Sequence, residues 1–275
     1  LVPRAIGAGL TEALGQQVIV ENRPGASQAI CMQLVARSPA DGYTLVYGSV
    51  TSLAINPAVT KDLPYDPVKD FAPLSLCVTT PLFLVTHPSV PAKNVKELIA
   101  LAKRQPGKLT FASGGNGSSN HLAGELLKLL AGVDLLHVPY KGAGPAMIDV
   151  MAGHVDMMLG AAGLAEARAG RVKVLGVTSA QRAAAAPDLP TLAEAGVKGY
   201  ESTIWFGLLA PAGTPQPIVN RLSQEIGKVL QQKSLRDRFN TVELTPTTPE
   251  GFAAHIQREI PKWRRVVTEA KIAAL

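Results

Sequence analysis

Between Lys108 and Gly142 the chain reads K-L-T-F-A-S-G-G-N-G-S-S-N-H-L-A-G-E-L-L-K-L-L-A-G-V-D-L-L-H-V-P-Y-K-G. Gly114 and Gly117 within it let the backbone approach a ligand closely, and Ser113, Ser118 and Ser119 add hydroxyl donors. An amphipathic helix follows, and the unpaired N–H groups and dipole of its first turn favour a negatively charged group. A second loop, V138-P-Y-K-G-A-G-P-A, offers the Tyr140 hydroxyl, the Lys141 charge and the amides around Gly142. A third, Y47-G-S-V-T-S, places Ser49 and Thr51 before another helix. Trp205, in an extended run, is placed to stack on a ligand or to fill a core. The chemistry on offer is the reversible holding of an anion. The bland alternative is a set of ordinary βα turns with a serine cap and a solvated lysine.

Catalytic patterns are missing. The five histidines show no spacing of three or four residues, so no helical zinc motif is formed and no metal is expected. There is no Gly-x-Ser-x-Gly elbow, no P-loop, and G115-x-G117-x-x-N120 lacks the third glycine of a dinucleotide fingerprint. No cofactor is implied. His121, at a helix start, reads as a packing or hydrogen-bonding residue, and Met147, Met151, Met157 and Met158 as core fillers.

Those loops need a scaffold. A chain of 275 residues with 47% hydrophobic and 17% charged content suits a globular protein of two domains. Its net charge of +6 comes from scattered basic residues, and aromatics are only 5%, which argues against nucleic acid as partner. No apolar run is long enough to span a membrane. Cys31 and Cys77 suit buried thiols, with one disulfide as the alternative in an oxidising compartment.

Periodicity gives helices over 3–14, 28–37 and 50–56, a strand over 18–22 and another over 43–48. Asn94 and Glu97 cap a helix that stops at Pro106-Gly107. Alternating strands and helices imply an α/β fold whose sheets are mostly parallel and covered by helices. Long extended runs near 74–87 and 202–211 bracket a second α/β region. Residues 1–84 with 208–275 therefore read as a discontinuous first domain and 85–207 as an inserted second one, joined by two crossover strands, with the ligand cleft between them. Leu1 opens directly into a helix, so an initial strand and its loop are expected upstream, and the chain reads as a processed or trimmed product.

The strings V18-I-V-E-N-R-P-G-A, A36-R-S-P-A-D-G-Y-T-L, L63-P-Y-D-P-V-K-D-F, H121-L-A-G-E, H137-V-P-Y-K-G, V174-L-G-V-T-S-A-Q-R and A210-P-A-G-T-P occur in order over nearly the whole chain. Together they resemble the periplasmic solute-binding receptors of tripartite tricarboxylate transporters, also called Bug receptors. The resemblance implies a two-lobed type II periplasmic-binding fold that closes on an organic carboxylate and delivers it to membrane permease subunits. It implies ligand contacts at Ser49, Thr51, the 113–119 loop and Tyr140 to Gly142, and a monomer without transmembrane segment. It also implies that L1-V-P-R-A-I follows a glycine-rich loop of a first strand that precedes this chain. Two rivals stand beside a non-enzymatic receptor: an α/β enzyme using His121 or His137 with Tyr140, and the effector-binding domain of a transcription regulator.

Overall fold

The computed structural model describes residues 1–239 and 242–272. Along the chain its helices are α1 (Val2–Leu14), α2 (Ala29–Ala36), α3 (Asn56–Val59), α4 (Val95–Arg104), α5 (Ser119–Ala131), α6 (Ala143–Ala152), α7 (Gly163–Arg168), α8 (Gln216–Gln231), α9 (Lys233–Arg238) and α10 (Pro249–Glu269). Its strands are β1 (Val46–Ser49), β2 (Phe71–Pro81), β3 (Phe83–Thr86), β4 (Thr110–Ser113), β5 (Leu136–Pro139), β6 (Met157–Gly160), β7 (Lys173–Val177), β8 (Thr203–Pro211) and β9 (Glu243–Leu244). The architecture is α/β, in two compact units. The first comprises Leu1–Thr79 and Trp205–Arg265, the second Thr80–Ile204 and Val266–Ile272.

In the first unit the sheet order is β1-β8-β2-β9. α1 stops at Gly15, whose φ of 66° is the left-handed cap that glycine adopts without penalty. Ile6 and Leu10 of α1 and Val219, Leu222, Ile226 and Val229 of α8 share a core with Leu74, Cys77 and Val78 of β2. Burial of these helical stripes, rather than propensity, holds the helices on the sheet. Cys31 and Cys77 are both free thiols, and Cys77 is buried.

In the second unit the order is β5-β4-β6-β3-β7. Phe83, Val85, Ala112, Met147, Val150 and Met158 form its core. The cap of α4 forms as expected: Asn94 accepts from the Glu97 amide at 2.9 Å, and Glu97 accepts in return from the Lys93 amide at 2.8 Å. α5 lies close over β4 because residue 124 is glycine. A Cβ there would fall 2.2 Å from the Phe111 ring. Gly124→Val is expected to lower stability by about 1–3 kcal/mol through this overpacking; thermal denaturation reads it, and an unchanged midpoint would contradict the close contact.

Two expectations are corrected. The sheets are mixed rather than mostly parallel. β4 runs parallel to β5 and β6, whereas β3 is antiparallel to β6 and β7, β1 to β8, and β2 to β9. Only Leu82 separates β2 from β3. With no crossover helix before it, β3 is free of the geometry that makes strands parallel. Residues 18–22 form neither a helix nor a strand ladder among the described residues. The Val18 amide donates to Thr11 Oγ1 at 2.9 Å, Val18 and Val20 lie over Gly7, and Ile19 is 79% exposed. Alternating apolar residues here pack along a helix instead of pairing with a strand.

Candidate functional site

Parallel pairing of β4 with β5 ends at the Ser113–Pro139 pair, so the loops after both strands leave the same sheet edge at one level. This carboxyl edge is where α/β sheets place ligands. Backbone bonds stitch the loops together: the Tyr140 amide donates to Ser113 O at 3.0 Å and the Gly142 amide to Gly114 O at 3.2 Å. Gly115 has a φ of +119°, and a Cβ on it would lie 3.0 Å from Tyr140 O. Only glycine permits this approach.

Two helix starts stand at the stitched edge. Ser118 caps α5, accepting from the His121 amide at 3.3 Å. α6 starts at Ala143 after Gly142 and has no side-chain cap. Its first-turn N–H groups, beside the exposed Lys141, form an electropositive patch suited to a carboxylate. The Ser119 hydroxyl is half-buried in the first turn of α5.

Other side chains are committed elsewhere. Ser113 is fully buried, its Oγ 2.6 Å from His137 Nε2 and accepting from the Gly115 amide at 3.1 Å. The Tyr140 hydroxyl donates to Asp149 Oδ2 at 2.6 Å; desolvation, aided by this bond and the Asp149 charge, pushes its pKa up to about 12. Segment 159–165 ends β6, turns at Ala161 and Ala162 and enters α7, bringing no hydroxyl or charge to the edge.

In the first unit, Ser49 closes β1 and is buried. Its hydroxyl donates to Gln28 Oε1 and its amide donates to Ser52 Oγ at 2.9 Å. Thr51, half-buried, opens a single π-helical turn, Thr51–Ile55, a rare form often found at functional sites. Ala26, Ser27 and Gln28 hold φ values of 43°, 49° and 74°. Asn56, whose Nδ2 donates to Ser27 O at 2.9 Å, and Ser49 tie this strained run down. Ser49 thus orients Gln28 rather than presenting its own proton, and neither Gln28 nor Asn56 carried a motif.

Trp205 is corrected from a stacking surface to a core residue. It is fully buried, its Nε1 donates to Glu259 Oε2 at 3.2 Å, and its ring meets Phe252 and His255 edge-on. A groove of about 760 Å³ elsewhere in this unit is lined by Pro57, Lys61, Tyr65, Asp66, Lys69 and Arg264. None of the candidate residues lines it, and Lys69 pairs with Asp66 at 3.7 Å within it.

Beneath the 113–119 loop the rings of His121 and His137 stack 4.0 Å apart. Burial pushes both pKa values down to about 4, assisted at His121 by His137 and Lys128 and at His137 by Lys128. Histidines depressed in the folded state bind fewer protons than in the unfolded chain. Their contribution to stability is therefore complete above about pH 6.5 and is lost as pH falls through about 4. Allowing for solvent screening at the half-buried His137, about 2 kcal/mol should disappear over that window. Thermal midpoints from pH 7 to 4 measure it; a flat profile would contradict the buried neutral pair.

No helix among the described residues is long and apolar enough to cross a membrane. The family description "Tripartite tricarboxylate transporter family receptor" matches residues 2–272. Protein BugT of Bordetella pertussis is 36% identical over 98% of this chain and 84% of its own length. Among solved structures, R. palustris Rpa4515 with adipate superposes at a TM-score of 0.85, 36% identical, covering 99% of this chain and 93% of that one. The periplasmic binding protein BugD superposes at 0.81 with 33% identity, covering 99% and 93%.

Proposed function

This chain belongs to the tripartite tricarboxylate transporter receptor family, and from that premise we propose that it is a periplasmic receptor for a small organic carboxylate. It captures the ligand unchanged and presents it to the membrane permease subunits of such a transporter. The observation that carries the reading is the stitched pair of loops at one sheet edge, with the uncapped start of α6 and exposed Lys141 beside the start of α5. Such donors recognise a carboxylate without reacting with it. Adipate in the related Rpa4515 structure supports the ligand class, and the periplasmic BugD supports the compartment.

Micromolar affinity corresponds to about −8 kcal/mol. A helix start contributes about 0.3–2 kcal/mol toward an anion, so charge-assisted bonds and burial of the ligand's carbon chain supply the remainder. At the loop edge Ser113 and His137 bring a hydroxyl to an imidazole, but the serine is fully buried and the imidazole stacks against Phe111 and His121. That arrangement supports a structural role and a non-enzymatic protein. Mass spectrometry of small molecules released from the purified protein tests the assignment. An intact carboxylate is expected; a bound sugar or cationic amino acid, or a chemically altered product, would contradict it.

A further inference from the structure

We propose that His121 and His137 are positioning residues whose stacked imidazoles fix the 113–119 loop in its ligand-holding shape. The proposal rests on the carboxylate-receptor reading and adds to it the residues that prepare the site. His121 Nδ1 accepts from the Gly117 amide at 3.2 Å. His137 Nε2 lies 2.6 Å from Ser113 Oγ, which in turn accepts from the Gly115 amide at 3.1 Å. Both sides of the glycine turn therefore hang from one aromatic block. That block spans three elements, since His121 lies on α5, His137 on β5, and Phe111 of β4 stacks 4.8 Å from His137.

The chemistry requires a neutral His121. Its Nδ1 must be bare to accept from Gly117, which leaves the proton on Nε2, facing Glu125 Oε1 at 3.8 Å. The other charged groups here are Lys128, 3.1 Å from Glu125, and Asp134 on the turn before β5. Burial and the neighbouring His137 and Lys128 favour the neutral ring, consistent with a pKa near 4. Protonation would set an N–H against the Gly117 N–H and release that side of the turn. A histidine that merely filled the core would be replaceable by a phenylalanine of similar shape; a positioning one would not.

The variants follow from that difference. His121→Phe keeps the ring and removes the acceptor, while His121→Asn places an amide oxygen near the former Nδ1. With adipate as probe, His121→Phe is expected to bind about tenfold more weakly than the parent, as befits an abandoned buried donor, and to exchange the Gly117 amide faster. His121→Asn is expected to stay within about threefold of the parent and to restore protection at Gly117. Unchanged affinity together with unchanged Gly117 exchange in His121→Phe would overturn the proposal. If the parent binds no adipate, only that one carboxylate is excluded, and Gly117 exchange alone decides the positioning role. Should His121→Phe not fold, the Gly117 amide shift of the parent is followed down in pH. It should move together with the His121 ring, and independent titration would overturn the proposal.

Discussion

Trp205→Ala is expected to destabilise the protein by about 3–5 kcal/mol, whereas Trp205→Phe should leave carboxylate affinity within about threefold of the parent. Trp205 is fully buried, and removing it opens a cavity beside Phe252 and His255. It also takes a donor from Glu259, whose Oε2 accepts from Trp205 at 3.2 Å and from Trp263 at 3.0 Å while Lys262 pairs with Oε1. Burying a carboxylate short of donors adds to the cavity cost. Thermal and chemical denaturation read the stability, and titration with adipate reads the affinity. Loss of binding in Trp205→Phe with stability intact would return Trp205 to the role of ligand contact.

Gly115→Val is expected to reduce carboxylate affinity about a hundredfold. The φ of +119° lies where a β-branched residue is strained by about 1–3 kcal/mol. Its Cβ would also press against the Tyr140 carbonyl 3.0 Å away, forcing apart the loops that the Tyr140 and Gly142 amides stitch together. Gly227→Ala, on α8 away from these loops, is the control: a Cβ there meets nothing within 4 Å, and binding should hardly change. Full affinity in Gly115→Val would mean that the stitched loops do not shape the site.

Local features were the legible ones. The α4 cap could be read from Asn94 and Glu97 because three residues suffice to build it. The β4–α5–β5–α6 succession could be read because apolar runs alternate there with glycine loops. Contacts between distant positions left no periodic trace. Trp205 and Glu259 stand 54 residues apart, and Ser113 and His137 stand 24 apart. The strained run 26–28 is built from Ala, Ser and Gln, none of which signals a positive φ as glycine does. Residues 18–22 show the reverse failure: their alternation is real, but it serves packing along α1. For the same reason the serines looked alike in sequence, yet Ser113 and Ser118 are committed to the scaffold while Ser119 keeps its place in the first turn of α5.

The central claim is that this protein holds an organic carboxylate reversibly through backbone donors at helix starts. Isothermal titration of the purified protein against a panel of mono- and dicarboxylates, sugars and cationic amino acids tests it most directly. Binding of at least one carboxylate near micromolar Kd, about −8 kcal/mol, is expected, with Gly115→Val weakening it about a hundredfold. Tight binding confined to sugars or cationic amino acids, or carboxylate binding indifferent to Gly115→Val, would contradict it.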